Sequence, residues 1–161
     1  DVSICTLTPD YNTDGAPDDG GHFVALMGSW KVGESAGGCR NNMESYQTNP
    51  QFLLTLLETD ELYPSSFEDQ PKCSVIIGLM QEHRHSISTE RPFLYQIAFV
   101  IYKADGVRGR LTADDIRKST EVGNTGVYLN YRETVGRCHL PPGHYVIIPA
   151  TFEPDCEGTF M

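Results

Sequence analysis

The sequence lacks the residue patterns that define several common protein classes. No apolar run approaches the length of about 18 residues that a membrane-spanning helix needs. Residues 1–5 show no basic region followed by an apolar one, so they do not resemble a secretory signal peptide. With 161 residues, of which 39% are hydrophobic, the chain is long enough for one core and short for two. The sequence therefore predicts a single globular domain over residues 1–161.

Basic residues are scarce. The chain has 12 Lys and Arg residues against 22 Asp and Glu residues, which gives a net charge of −10. Nucleic-acid binding needs a basic surface, so the balance predicts no nucleic-acid partner. A negative charge remains compatible with calcium or with basic protein segments as partners.

The cysteine pattern argues against both disulfides and zinc. The five cysteines include no Cys-x-x-Cys pair, and the chain has no Asn-x-Ser/Thr glycosylation site. An odd number of widely spaced cysteines without such sites predicts reduced thiols in a cytoplasmic protein. No spacing of Cys and His residues matches a zinc site.

The residue types of a cysteine protease are present, but their surroundings do not support catalysis. A catalytic thiolate needs a histidine base and an orienting Asn or Asp. Cys39 lies in a glycine-rich turn. Cys138 and His139 are neighbours on a predicted strand, so their side chains point to opposite faces. We therefore predict no enzymatic activity and no catalytic residue in this chain.

Short apolar or alternating segments, separated by Gly, Pro and Asp-rich turns, favour β-structure. Residues 112–115 are expected to cap one short helical turn, and the rest of the chain has little helical pattern. The predicted strands cover residues 2–7, 22–31, 51–57, 73–81, 93–102, 127–131 and 144–148, with another beginning at Thr159. The strand at 73–81 is expected to be central, because it is apolar on both faces. About eight short strands with little helix indicate an all-β, antiparallel two-layer sandwich.

A tryptophan and several glycines mark one corner of this predicted sandwich. Trp30 ends an apolar segment and is expected in the core. Gly37 and Gly38 allow turns that a Cβ would forbid, and Pro50 keeps the preceding residue out of a helix. Gly38 is followed by Cys39 rather than by the Lys of a phosphate-binding loop, and we predict no helix after it. Trp30, Gly37, Gly38 and Pro50 are therefore interpreted as structural residues.

Four ordered motifs resemble the third domain of the calpain large subunit. They are Trp30 with Ser-Ala-Gly-Gly-Cys-Arg-Asn (35–41) and Asn-Pro-Gln (49–51), Gly-Leu-Met-Gln-Glu-His-Arg (78–84), Leu-Pro-Pro-Gly-His-Tyr (140–145), and Pro-Ala-Thr-Phe-Glu-Pro (149–154). The resemblance implies an eight-stranded, C2-like sandwich that regulates a calcium-dependent cysteine protease. It also implies that the catalytic residues lie in protease domains outside this chain. Residues 1–21 would form the entry segment and a loop. The final strand, which continues further in the family, would be truncated at Met161.

An acidic segment separates two predicted core strands. Its carboxylates belong to Glu58, Asp60, Glu61, Glu68 and Asp69. From the residues alone, such a run is typical of a solvated surface. The resemblance implies a second interpretation, in which this loop contacts a basic face of the protease domains and holds them apart until calcium rearranges the molecule.

The entry loop nearly matches a calcium-binding pattern. Asp10, Asn12 and Asp14, followed by Gly15, fit the first positions of an EF-hand loop. The last position of that loop, which should supply a bidentate carboxylate, is Gly21. A weak calcium site and a solvated loop therefore remain the two interpretations of this segment.

A partly basic segment follows the predicted strand 73–81. It contains His83, Arg84, His85 and Arg91 and is by itself an ordinary exposed loop. The resemblance implies contact with acidic phospholipids, for which each basic side chain contributes about 1 kcal/mol. It thereby implies a cytoplasmic protein that is recruited to membranes. An independent calcium- and phospholipid-binding module is the alternative to a regulatory domain of a protease.

Overall fold

The computed structural model describes residues 23–57, 72–82, 93–106 and 109–161. The predicted strand at residues 2–7 lies outside this part of the chain. In the described part, the strands are β1 (Gly28–Trp30), β2 (Phe52–Leu56), β3 (Cys73–Met80), β4 (Ile97–Lys103), β5 (Glu121–Asn124), β6 (Glu133–Leu140), β7 (Gly143–Thr151) and β8 (Gly158–Phe160). The two short helices are α1 (Met43–Tyr46) and α2 (Ala113–Lys118).

The strands form two antiparallel layers, which confirms the predicted all-β sandwich. The first layer has the strand order β2-β7-β4-β5. In the second layer, β3 pairs with β6 and β1 pairs with β8. A bridge between Gln81 and Phe160, together with backbone hydrogen bonds between Met80 and Met161, joins these two pairs. The order of the second layer is therefore β6-β3-β8-β1.

The main core lies between the two layers. Alternate residues of β4, Ile97, Phe99 and Ile101, point into it and are almost fully buried. Trp30 from β1 packs on Phe160 from β8, with ring centroids 4.3 Å apart. Because these side chains come from both layers, the core fixes the layers face to face.

A second core covers the outer face of the first layer. Val100 and Tyr102 of β4 point to this face, where Ile148 of β7 lies beside them. Tyr46 of α1 and Ile116 of α2 pack over them, so both faces of β4 are buried. The sequence predicted β3 as the strand that is apolar on both faces, but β4 takes that position.

Several predicted boundaries differ from the structure. The strand predicted at 22–31 is reduced to Gly28–Trp30, and the segment predicted at 127–131 contributes only a bridge between Leu129 and Ile97. The strand β5 was not predicted, and β6 was predicted only at Cys138 and His139. The capped turn at 112–115 was correct: Thr112 and Asp115 form a capping box at the start of α2.

Candidate functional site

All the predicted charged site residues lie outside the described residues. They are the near-match to a calcium loop (Asp10, Asn12, Asp14), the acidic segment (Glu58, Asp60, Glu61, Glu68, Asp69) and the basic segment (His83, Arg84, His85, Arg91). The structure gives the positions of the residues that flank the acidic and basic segments.

The acidic segment joins the two layers of the sandwich. It leaves from Leu57, just after β2 of the first layer, and returns at Lys72, just before β3 of the second layer. Leu56 pairs with Gly143, the first residue of β7, and Cys73 pairs with Leu140, the last residue of β6. Both ends of the acidic segment therefore lie beside the short turn that connects β6 to β7.

The basic segment starts and ends at the opposite end of β3. It follows Glu82, whose backbone N–H donates to the carbonyl of Thr159 in β8 over 2.9 Å. The side chain of Gln81, which is 3% exposed, holds the returning chain. Its Oε1 accepts from the backbone N–H of Tyr95 at 3.0 Å, and its Nε2 donates to the carbonyls of Tyr95 and Tyr131 at 2.9 and 2.7 Å. The two segments are thus anchored roughly 25 Å apart, the length of an eight-residue strand.

The glycine-rich corner after β1 is built around a buried amide. Asn49 is 0% exposed, and its Oδ1 accepts from the backbone N–H of Gly37 at 3.1 Å. Its Nδ2 donates to the carbonyls of Gly38 and Tyr46 at 2.8 and 3.0 Å. Gly38 has a φ of 71°, in the left-handed region that favours glycine. The following residue, Pro50, is half-buried.

This corner also contains a helix that the sequence interpretation missed. Asn42 caps α1 by accepting hydrogen bonds from the backbone N–H groups of Glu44 and Ser45. The prediction that no helix follows Gly38 was therefore wrong. Asn42 as a cap, with Glu44 in the first turn, is the pattern that could have indicated the helix, although four residues give almost no periodicity.

Polar cross-links attach this corner to the chain around α2. Arg110 donates to the carbonyls of Gln47, Thr48 and Asn49, which follow α1. The side-chain amide of Gln51 donates to the carbonyl of Leu111 and accepts from its N–H, at 3.0 and 2.8 Å. Sequence reasoning did not identify these polar residues, because their partners lie about sixty positions away in the chain.

Ion pairs reinforce the same connection. The guanidinium of Arg40 pairs with Glu121 of β5. Arg117 of α2 pairs with Glu44 of α1 at 2.7 Å and with Asp114 at 2.9 Å. These side chains are partly exposed, so each pair adds at most about 1 kcal/mol. The ion pairs thus link the glycine-rich corner and α1 to β5 and α2.

Cys138 and Cys156 do not have the surroundings of a catalytic thiolate. Burial raises the pKa of the Cys138 thiol, and burial raises the pKa of the Cys156 thiol as well. A raised pKa keeps the thiol protonated at neutral pH and lowers its reactivity. Cys138 is half-buried on one face of β6, whereas His139 is exposed on the other.

Metal-binding clusters and membrane-spanning helices are both absent from the described residues. Within residues 23–57, 72–82, 93–106 and 109–161, no group of three or more His, Cys, Asp or Glu side chains is placed to hold a metal ion. The helices described over the same ranges are too short and too polar for any to cross a membrane.

Binding of calcium by the entry loop can be tested directly on this chain. We expect titration calorimetry to give an affinity no tighter than about 10⁻⁴ M, because the bidentate carboxylate of the EF-hand pattern is missing. The double variant Asp10→Asn, Asp14→Asn should change the titration little. As a control for lost charge, Asp155→Asn with Glu157→Gln alters two exposed acidic residues near β8. A micromolar affinity that only the first variant abolishes would contradict the expectation.

The motifs and the sandwich agree with the comparisons to known proteins. The family model described as calpain large subunit, domain III, matches residues 26–161. The chain belongs to this family.

Among its relatives, rat Calpain-9 is 36% identical over 159 residues, which are 99% of this chain and 22% of the relative. Calpain-A of Drosophila melanogaster is 34% identical over 166 residues, covering 99% of this chain and 19% of the relative. The chicken Calpain-1 catalytic subunit is 34% identical over 165 residues, covering 99% and 23%. The chain therefore spans about a fifth of the length of the curated relatives that it matches.

Proposed function

We propose that residues 1–161 act as one non-catalytic regulatory domain of a calcium-dependent cysteine protease of the calpain type. The domain would couple calcium, and contact with acidic phospholipids, to protease domains of the same polypeptide. In this proposal the parent protein is cytoplasmic and membrane-recruited, and its catalytic residues lie outside this chain. Membership of the calpain domain III family supports the proposal.

The observation that carries the proposal is the placement of the acidic segment. Five carboxylates lie in one connection between the two layers: Glu58, Asp60, Glu61, Glu68 and Asp69. Both ends of this connection emerge at the same end of the sandwich, beside the turn between β6 and β7. Several carboxylates on one connection can act together as an electrostatic contact to a basic surface of the protease domains.

The magnitude of such a contact fits a regulatory function. One exposed ion pair contributes only about 0–1 kcal/mol, so no single carboxylate should decide the outcome. Several pairs can add up to a few kcal/mol, which shifts an equilibrium between two states by up to about a hundredfold. The contact should also weaken with salt, because the Debye length is about 8 Å at physiological ionic strength.

The test is to neutralise three of the five carboxylates in the full-length protein. We expect Glu58→Gln, Glu61→Gln and Asp69→Asn together to lower the calcium concentration for half-maximal protease activity by several-fold or more. Added salt should have the same effect on the unaltered protein. The melting temperature of the domain should hardly change, because exposed charges contribute little to folding.

A matched control separates the segment from net charge. Glu153→Gln, Asp155→Asn and Glu157→Gln remove the same number of exposed negative charges from the connection between β7 and β8. This control should leave the half-activation point unchanged. If the acidic-segment variant also leaves it unchanged, the segment is only a solvated surface and the proposed electrostatic coupling is wrong.

A further inference from the structure

The two layers of the sandwich differ in what covers their outer faces. The outer face of the first layer is covered by this chain itself, through α1 and α2, and Tyr46 and Ile116 are at most 3% exposed there. No comparable helix of the described residues packs on the outer face of β3 and β6. On that face, Ile76 is 66% exposed and Val135 is 55% exposed.

Strand register brings these exposed apolar side chains together. Ile76 pairs with Arg137 and Gly78 pairs with Val135, so Ile76 and Val135 are diagonal neighbours on adjacent strands. Gly78 has no side chain, and the carboxylate of Glu133 lies over it: a Cβ there would be 3.1 Å from Glu133 Oε1 and 4.0 Å from Val135 Cγ2. At the end of β3, Met80 exchanges two backbone hydrogen bonds of 2.8 Å with Met161, which is 42% exposed.

Charged and polar side chains alternate with the apolar ones. The outward side of β6 is formed by every second residue of the strand. It carries the exposed side chains of Glu133, Val135, Arg137 and His139. Arg137 donates to the hydroxyl of Ser74 at 3.1 Å and retains further N–H donors. We call this set, Ile76, Val135, Met161, Glu133, Arg137 and His139, the β3–β6 face.

We propose that the β3–β6 face docks against another domain of the same polypeptide, through a surface with an apolar centre and a carboxylate that meets Arg137. This inference rests on the proposed function, since it names the face used for contact with the rest of the protein. The chain spans 19–23% of its relatives, so in a protein of their length most of the polypeptide lies outside this domain and is available to cover the face.

The composition of the face favours a protein surface over an anionic membrane. Interfaces between domains of one chain are mixed in polarity, and an apolar centre with charges at its rim fits them. A membrane-binding face would need an excess of positive charge. On the β3–β6 face, one Arg is balanced by one Glu.

Chemical modification of His139 in the full-length protein tests the docking. Diethyl pyrocarbonate modifies accessible imidazoles, and peptide mass spectrometry gives the rate for His139 alone. We expect His139 in the native, calcium-free protein to react at least about five-fold more slowly than in the guanidinium-unfolded protein. We expect Val135→Glu to restore most of the rate, because a buried unpaired carboxylate disrupts an apolar contact.

The control is Val32→Glu, which places the same charge at a valine of similar exposure, 53%, outside the face. This variant should leave His139 protected. A native rate for His139 equal to the unfolded rate would overturn the inference, and so would a Val135→Glu variant that remains as protected as the control. These readouts need no protease activity, so failure of the docking is distinguishable from failure of the acidic-segment coupling.

Discussion

Replacing Trp30 by alanine is expected to lower the free energy of unfolding of this domain by about 3–5 kcal/mol. Trp30 is 0% exposed and packs on Phe160 in the core between the layers. Its truncation removes the contacts of a large ring. It also leaves a cavity between the two layers that the surrounding side chains cannot easily fill. Urea unfolding of the purified chain, followed by circular dichroism, measures the change.

The indole of Trp30 also has a specific polar contact. Its Nε1–H donates to the carbonyl of Pro149 in β7 over 3.2 Å. The pairing of β2 with β7 ends at Ile147, so this part of β7 has no β2 neighbour, and Pro149 cannot donate a backbone hydrogen bond. Trp30→Phe keeps most of the packing but loses this bond, and should cost about 1–2 kcal/mol.

A matched control for aromatic truncation is Phe23→Ala. Phe23 is 76% exposed, so its removal should change the unfolding free energy by less than about 0.5 kcal/mol. Equal effects for Trp30→Ala and Phe23→Ala would contradict the assignment of Trp30 to the core, as would solvent-like tryptophan emission from the native protein.

Replacing Gly37 by alanine is expected to cost at least about 3 kcal/mol, the upper part of the range for overpacked sites. A Cβ at Gly37 would lie 1.9 Å from the backbone carbonyl oxygen of Ser45 in α1. The Ser45 oxygen belongs to the backbone of α1 and not to a flexible side chain, so either the glycine-rich corner or the helix would have to move. That movement would also disturb the hydrogen bond from Gly37 to Asn49. Chemical unfolding gives the value.

Gly33→Ala is the matched control for the corner. Gly33 has a φ of 76°, but a Cβ there would meet no atom within 4 Å. Its substitution should cost only about 1–2 kcal/mol, from the left-handed backbone alone. If Gly37→Ala is no more destabilising than Gly33→Ala, close packing of the corner against α1 is not what requires glycine at position 37.

The layered β-architecture was predictable because it depends on local patterns. The apolar run of β4 and the alternating or apolar segments of β2 and β7 read as strands, and Thr112 with Asp115 gave the start of α2. The short β5 contains Gly123 and Asn124, which disfavour strands, so its position in the first layer depends on pairing with β4. In β3, apolar composition suggested burial on both faces, yet Ile76 points to an uncovered face.

The candidate site was less predictable, for a physical reason. A charge cluster such as residues 58–69 can be read from the sequence, but the position of its ends depends on the pairing of β2 with β7 and of β3 with β6. Likewise, nothing near Gln81 in the sequence indicates that its amide binds the chain at Tyr95 and Tyr131. Buried amides obtain their partners from the tertiary fold, which a local pattern does not contain.

The buried amides of the described residues have a consequence for how the domain responds to its solution. Asn49, Gln51 and Gln81 are at most 3% exposed, and each holds two or more chain segments together. A carboxamide neither gains nor loses a proton across the physiological range, and neutral buried hydrogen bonds are hardly screened by electrolyte. Acidification or a rise in ionic strength would therefore alter contacts made by surface carboxylates while these internal links keep their geometry. The sandwich therefore keeps its structure under the same changes of pH and ionic strength that alter the contacts of its surface carboxylates.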